Sequence, residues 1–351
     1  MKKIFNTIIY IIIIIFAIEY LSIVYGCKRP ESPIINKKEN VDVLFVGSSG
    51  TIRSISPMRM YEKKGISSYV IGASYANLPI EYYFLEENIK KNQPKVVILD
   101  IEYLCKEKDN SLDHAHYAVD FFPMSKNKLE LINSEFYDMT FINKLTFVFP
   151  FFRFHQKWSE KNGYIKELKN IAIEPGKTKG QDWYGYLNNN TVYTKVNENY
   201  MKNNELNDKK SYNDNCAEEY ILKVKKLCDE KNIKFILYCN VYPPKWSTLT
   251  SAKAKMIAND IGISLIDCND KFNEMNLNFK TDFCDVGHLN ISGAYKVTDY
   301  FSNYLTNNYN LANHQNEPKY ESWNNDLKKY KDEEEKWIQE YNKNLQKKQA
   351  K

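Results

Sequence analysis

Val41-Asp42-Val43-Leu44-Phe45-Val46-Gly47-Ser48-Ser49-Gly50 decides how this chain folds. Five of its first six residues are apolar, and three of those are valine. A turn of small residues follows at once. A β-branched apolar run ending on glycine and serine predicts a buried parallel strand that stops at a tight turn. In an open α/β sheet, ligands bind beyond the carboxyl ends of the strands. A serine there presents its hydroxyl at the mouth of a crevice, close to the start of the next helix. Two readings stand at this point. Ser48 and Ser49 cap that helix, since serine is among the preferred N-cap residues, or Ser49 is a nucleophile.

Outward from this stretch the chain alternates strand and helix. Ser68–Ile71 predicts a second strand, ending at Gly72-Ala73-Ser74-Tyr75-Ala76-Asn77. Pro79 to about Lys91 predicts a helix opened by proline. Lys95–Ile101 is a third strand, Ile233–Val241 a fourth and Ile263–Ile266 a fifth. Between and after them, Asn213–Lys231, Thr248–Asn259 and Lys296 to about Asn307 carry helical patterns. Strand, helix, strand at this spacing predicts a parallel sheet. The expected architecture is a three-layer α/β/α, flavodoxin-like sheet of about five strands. Residues 105–210 break the rhythm and read as an insertion, with helical stretches at Lys126–Phe136 and Lys157–Lys169.

The expected organisation is a membrane or signal segment over 1–26, a polar stalk over 27–40, the α/β domain over 41–310 and a charged helix over 311–351. The first of these runs apolar from Ile4 to about Gly26, with Glu19 its only charge. That matches the roughly 20 residues that span a bilayer. It fits an uncleaved anchor, a cleaved signal peptide or a lipoprotein signal with Cys27 as the lipidated residue. Lys2 and Lys3 precede it while Lys28, Arg29, Lys37 and Lys38 follow, so charge alone does not orient it. In the last segment Trp323, Leu327, Tyr330, Trp337, Tyr341 and Leu345 form one stripe of a helix, which packs on the domain or docks on a partner or membrane.

Composition narrows the chemistry. The net charge of +5 over 351 residues is mild, and no nucleic-acid motif is present. None of the seven cysteines has C-x-x-C spacing, which speaks against zinc and thioredoxin-type sites. The second informative stretch is Asp282-Phe283-Cys284-Asp285-Val286-Gly287-His288-Leu289-Asn290. A nucleophilic serine needs a base, and that base needs a group to fix its tautomer. Asp285 and His288 lie three apart, so one short turn brings carboxylate to imidazole. An early strand-end serine paired with a late Asp/His turn makes Ser49 the nucleophile, His288 the base and Asp285 its partner. Two further groups carry alternatives. His114 and His116, after Asp113, are a metal site or solvated side chains. Arg153, His155 and Trp158 grip a carboxylate, phosphate or sugar, or pair among themselves within the insertion.

On these residues the chain resembles the SGNH/GDSL hydrolase superfamily. Gly47-Ser48-Ser49 is similar to its Gly-Asp-Ser block, and Asp285-Val286-Gly287-His288 to its last block. The resemblance covers about 41–103 and 213–306. Gly72-Ala73-Ser74-Tyr75 stands where the family has its oxyanion glycine, with Tyr75 in the glycine position. Asp100-Ile101-Glu102-Tyr103 stands where it has Gly-x-Asn-Asp, with Glu102 in place of the asparagine donor. An ionised glutamate does not stabilise an oxyanion, so the resemblance implies a rebuilt oxyanion hole, with backbone amides near Ser49, Gly72 and Ser74 as donors. The membrane segment, the Gly-Ser-Ser block and the insertion are similar to the D-alanyl transfer proteins of teichoic acid synthesis and related polysaccharide O-acylation proteins. Asp120–Lys128 and Phe151–Trp158 resemble stretches of bacterial cell-surface proteins of this type. That likeness implies an extracytoplasmic enzyme acting on acyl groups of a cell-surface glycopolymer beside a multi-pass membrane O-acyltransferase. It implies no metal or organic cofactor. The alternative is a non-catalytic accessory protein that binds the polymer or recruits the acyltransferase.

Overall fold

Val43–Gly47 forms strand β1 with every residue buried, as an apolar run covered on both faces requires. The computed structural model describes residues 2–25, 34–35, 40–104, 111–120, 122–136, 138–149, 153, 183–204, 215–244 and 246–350. The chain divides into two compact units, residues 31–122 with 182–351, and residues 1–30 with 123–181. The expected stalk lies almost wholly outside the described residues, as do Cys27 and the helix expected over Lys157–Lys169.

The larger unit is the α/β domain. After β1 come α2 (Ser49–Ser54) and α3 (Pro57–Lys64), then β2 (Ser68–Gly72), α4 (Leu78–Ile89), β3 (Val96–Asp100) and α5 (Leu112–Val119). Helices α6 (Lys126–Ser134) and α7 (Phe141–Val148) belong to the smaller unit. The domain resumes with α8 (Tyr200–Asn203), α9 (Asn215–Glu230), β4 (Lys234–Cys239), α10 (Thr248–Asp260), β5 (Ser264–Asp267), α11 (Ile291–Asn308) and α12 (Glu321–Gln349). The five strands are all parallel in the order β2-β1-β3-β4-β5. That is the flavodoxin-like order, with its switch point between β1 and β3. Right-handed crossovers that first step one way and then reverse put α2 and α3 on one face and α4 on the other. Accordingly α4 packs on β1, β2 and α9, while α11 packs on α2 and α3.

Two short helices, α2 and α3, follow the turn after β1. Ser56 caps α3 through its hydroxyl on the Arg59 amide, and Pro57 fills the first helical position. Helix α11 begins at Ile291, five residues before the expected start, because Asn290 caps it through the Ser292 and Gly293 amides at 3.0 and 3.3 Å. Part of the expected insertion is built into the domain. The Val70 amide donates to the Tyr184 carbonyl at 2.9 Å, and the Leu187 amide to Ile52 at 2.7 Å. Gly185 sits at φ +85, against the Val70 carbonyl, where any Cβ would overlap it.

The C-terminal helix packs back on the domain. Trp323 is wholly buried, its ring 4.2 Å from that of Tyr184 and 5.2 Å from that of Tyr61. The Tyr330 hydroxyl lies 2.8 Å from those of both Ser56 and Tyr295. Trp337 packs edge-on against Trp183 and Tyr330. Ahead of this helix, His314 is clasped between Asp42 and Glu317, 2.7 Å from each, and so ties the segment to the root of β1.

In the smaller unit α1 (Lys2–Tyr25) is one helix. Phe136 and Phe147 stack at 5.0 Å, both buried. Among the described residues no helix is long and apolar enough to cross a membrane. The side chains of α1 are described only from Lys3 to Ile18, short of the roughly 20 residues of a span.

Candidate active site

The turn after β1 divides two tasks between two serines. Ser48 has extended backbone angles, φ −95 and ψ −157, and its hydroxyl accepts from the Gly50 amide at 3.3 Å. It is the N-cap. Ser49 is therefore the first residue of α2, half-buried, with its hydroxyl free of capping.

The loop before α11 carries its partners. Phe283 and Leu289 form an isolated antiparallel bridge, and the Cys284 amide donates to the His288 carbonyl at 2.9 Å. This closes a small hairpin with Asp285 at its bend. Both ends are pinned. The Asn290 amide group donates to the carbonyls of Thr281, Phe283 and Thr191. Asp282, wholly buried, takes hydrogen bonds from Ser292 Oγ at 2.8 Å and Lys296 Nζ at 2.7 Å. The Tyr193 amide reaches the Phe283 carbonyl at 2.8 Å.

His288 Nε2 lies 2.9 Å from Ser49 Oγ, and His288 Nδ1 lies 2.9 Å from Asp285 Oδ2. The backbone amides of Gly287 and His288 also donate to Asp285 Oδ1, at 2.8 and 2.9 Å. Burial works against charge on Asp285, but the hydrogen bond and field of His288 and the two amides outweigh it and hold the carboxyl at about 2. A carboxylate fixed in that state accepts a hydrogen bond from Nδ1–H, so the ring proton stays on that nitrogen. Nε2 is left to accept from the serine hydroxyl, the tautomer a general base needs. The neighbouring Cys284 is no rival nucleophile, since burial and then the Asp285 charge push its thiol up to about 12.

The oxyanion side differs from expectation in detail. Gly72 pairs with Gly47 at the end of β2, and Ser74 lies in the turn closed by the Ala76 amide on the Ala73 carbonyl at 3.1 Å. Tyr75 takes the left-handed conformation, φ +66, that glycine would adopt freely. That costs about 1–2 kcal/mol for a side chain with a Cβ. Its ring is exposed and stacks on His114 at 3.8 Å, with Tyr117 edge-on at 5.8 Å. Glu102 is buried beside Asp100 at the end of β3. Burial, and then the Glu102 charge, push the Asp100 carboxyl up to about 8. Asn240, just past β4, is wholly buried in the same corner.

Arg153 is half-buried in the smaller unit, and His155 lies outside the described residues. His114 is stacked on Tyr75, while His116 is buried on α5 with Nδ1 2.6 Å from Asp120. Among the described residues no group of three or more His, Cys, Asp or Glu side chains is placed to hold a metal ion. Fold and geometry together define the class: an α/β protein with a serine–histidine–aspartate relay at the carboxyl edge of a parallel sheet. No family model matches the chain, and no curated protein matches it.

Proposed function

We propose that this protein is an extracytoplasmic serine acyltransferase or esterase acting on acyl groups of a cell-surface glycopolymer, a teichoic acid or polysaccharide. The observation that carries the reading is the hydrogen-bonded line from Asp285 through His288 to Ser49. Ser49 Oγ attacks the acyl carbonyl while His288 Nε2 takes its proton. Collapse of the tetrahedral intermediate expels the donor alcohol, to which His288 returns the proton. The acyl group is then on Ser49. Water, in an esterase, or a polymer hydroxyl, in a transferase, repeats the sequence in reverse with His288 again as base. Asp285 keeps the imidazole in its working tautomer and stabilises the imidazolium. The scheme calls for neither metal nor organic cofactor.

The likeness of the Ser49 and Asp285/His288 blocks to SGNH/GDSL hydrolases supports this reading, as does the flavodoxin-like strand order. The glycopolymer, the external placement and a multi-pass membrane O-acyltransferase as partner come from the likeness to the D-alanyl transfer and O-acylation branch. We read α1 as the membrane anchor. Its apolar side chains from Ile4 to Phe16 are exposed around the helix, which is unfavourable in water and favourable in lipid. The accessory-protein reading loses one of its supports, because Trp323 and Tyr330 of the aromatic stripe are buried against the domain. A strain carrying Ser49→Ala tests the proposal through the ester content of its surface polymer. Acylation is expected to shift as it does in a strain lacking the protein; wild-type acylation would contradict the enzyme.

A further inference from the structure

Tyr75 stands in a backbone conformation, φ +66, that glycine adopts freely and a residue with a Cβ does not. The turn around it is nonetheless firm. The Ala76 amide closes it on the Ala73 carbonyl at 3.1 Å, and Asn77 caps α4 through the Ile80 amide at 3.2 Å. Strain held this firmly beside a reactive group points to a use for the side chain.

Tyr75 is 42 % exposed although one face of its ring is covered, by His114 at 3.8 Å and an interplanar angle of 8°. Tyr117 meets the ring edge-on at 5.8 Å and is itself 38 % exposed. The open surface of Tyr75 is therefore the face turned from His114. Helix α5 sets both partners. Ala115, His116, Ala118 and Val119 are its buried side, while His114 and Tyr117, three apart, share the other. The Ser111 hydroxyl caps it on the His114 amide at 3.4 Å.

This aromatic face adjoins the relay. Gly72 of β2 pairs with Gly47 of β1, so the turns that carry Tyr75 and Ser49 leave the sheet side by side. Tyr242 reaches both sides of the site. A Cβ at Gly287 would meet its ring at 3.4 Å, and burial first, then Glu102, Asp285, Asp100 and Tyr75, push its hydroxyl up. Val286, at the bend between Asp285 and His288, is exposed as well. The chemistry of the face selects its occupant. An acyl chain is held by wholly apolar walls, whereas each ring here joins an apolar surface to a polar atom, a phenol oxygen or an imidazole nitrogen. A pyranose ring divides in the same way, into a face of C–H groups and a rim of hydroxyls.

We propose that the open face of Tyr75 is the subsite on which a sugar ring of the polymer stacks, bringing its ester to Ser49. The proposal rests on Ser49 being the nucleophile for where that ester lies. Tyr75 positions the substrate, and no bond is made or broken at it. Fixed by its turn and by His114, the ring loses little freedom when the sugar binds.

The test uses the full-length protein in detergent with two probes, glucose pentaacetate as a sugar ester and vinyl octanoate as an acyl ester without a ring. Tyr75→Gly removes the ring and relaxes the backbone, so the variant is expected to fold. With glucose pentaacetate its KM is expected to rise about three- to tenfold, the worth of one aromatic stack, with kcat within about twofold. Tyr75→Phe, which keeps the stacking face, restores the wild-type KM. Binding is read separately in Ser49→Ala, where adding Tyr75→Gly raises the Kd of glucose pentaacetate by the same factor. No binding to Ser49→Ala, an unchanged KM and Kd in Tyr75→Gly, or an equal rise in KM for vinyl octanoate overturns the proposal. A wild type that turns over neither ester overturns the nucleophile reading instead, and the binding arm still decides the Tyr75 subsite.

Discussion

Ser48 and Ser49 are adjacent in sequence and separate in role. The first satisfies the helix start and the second faces His288, because only the N-cap position turns its hydroxyl back onto the Gly50 amide. Asp285 belongs to the same scale. Four of its hydrogen-bonding contacts come from one imidazole nitrogen and two amides, and a fifth from the Cys284 thiol at 3.8 Å. Asp285→Asn keeps the shape but favours the wrong tautomer, and kcat is expected to fall by on the order of 10⁴. The same residue sets a pH signature in stability. Its folded carboxyl sits at about 2 against 3.8 for the free group. Depressed below its unfolded value, it stabilises the fold fully above that value and ceases to as pH falls through about 2. Thermal midpoints of wild type and Asp285→Asn are therefore expected to differ at pH 6 and to converge as pH falls towards 2. A gap that stays constant over that range would show that the carboxylate is not held as described.

Among the elements, the strands were legible and the joints between them were not. β1 to β5 read directly because each is a short apolar run bounded by turn residues. Helices α2 and α3 are too short for a 3.6-residue period to show, although Ser56-Pro57 marked a start. Residues 183–196 have no periodicity because their partners are β2, α2 and the loop before α11, all distant in sequence. Ser49, His288 and Asp285 were legible because each sits in a short motif. The aromatic stripe of the last helix left two outcomes open, and its packing on Tyr61, Trp183 and Tyr184 selects one. Trp323→Ala removes a wholly buried ring from that contact. A loss of about 3–5 kcal/mol in unfolding free energy is expected, read as a lower denaturant midpoint. An unchanged midpoint would mean that the helix does not dock as described.

At the scale of the molecule, the line from Asp285 through His288 to Ser49 lies at the carboxyl edge of the parallel sheet. The hydrophobic core positions β1, the pinned hairpin positions His288, and the two meet at one oxygen atom. Everything proposed about substrate, partner and placement depends on that atom being nucleophilic. The most direct measurement is labelling of the full-length protein, in intact cells, by a membrane-impermeant fluorophosphonate, with the adduct mapped by mass spectrometry. The account predicts a single adduct on Ser49, absent from Ser49→Ala and from His288→Ala. Labelling that persists in Ser49→Ala, or a folded wild-type protein that takes no label even after lysis, would contradict it.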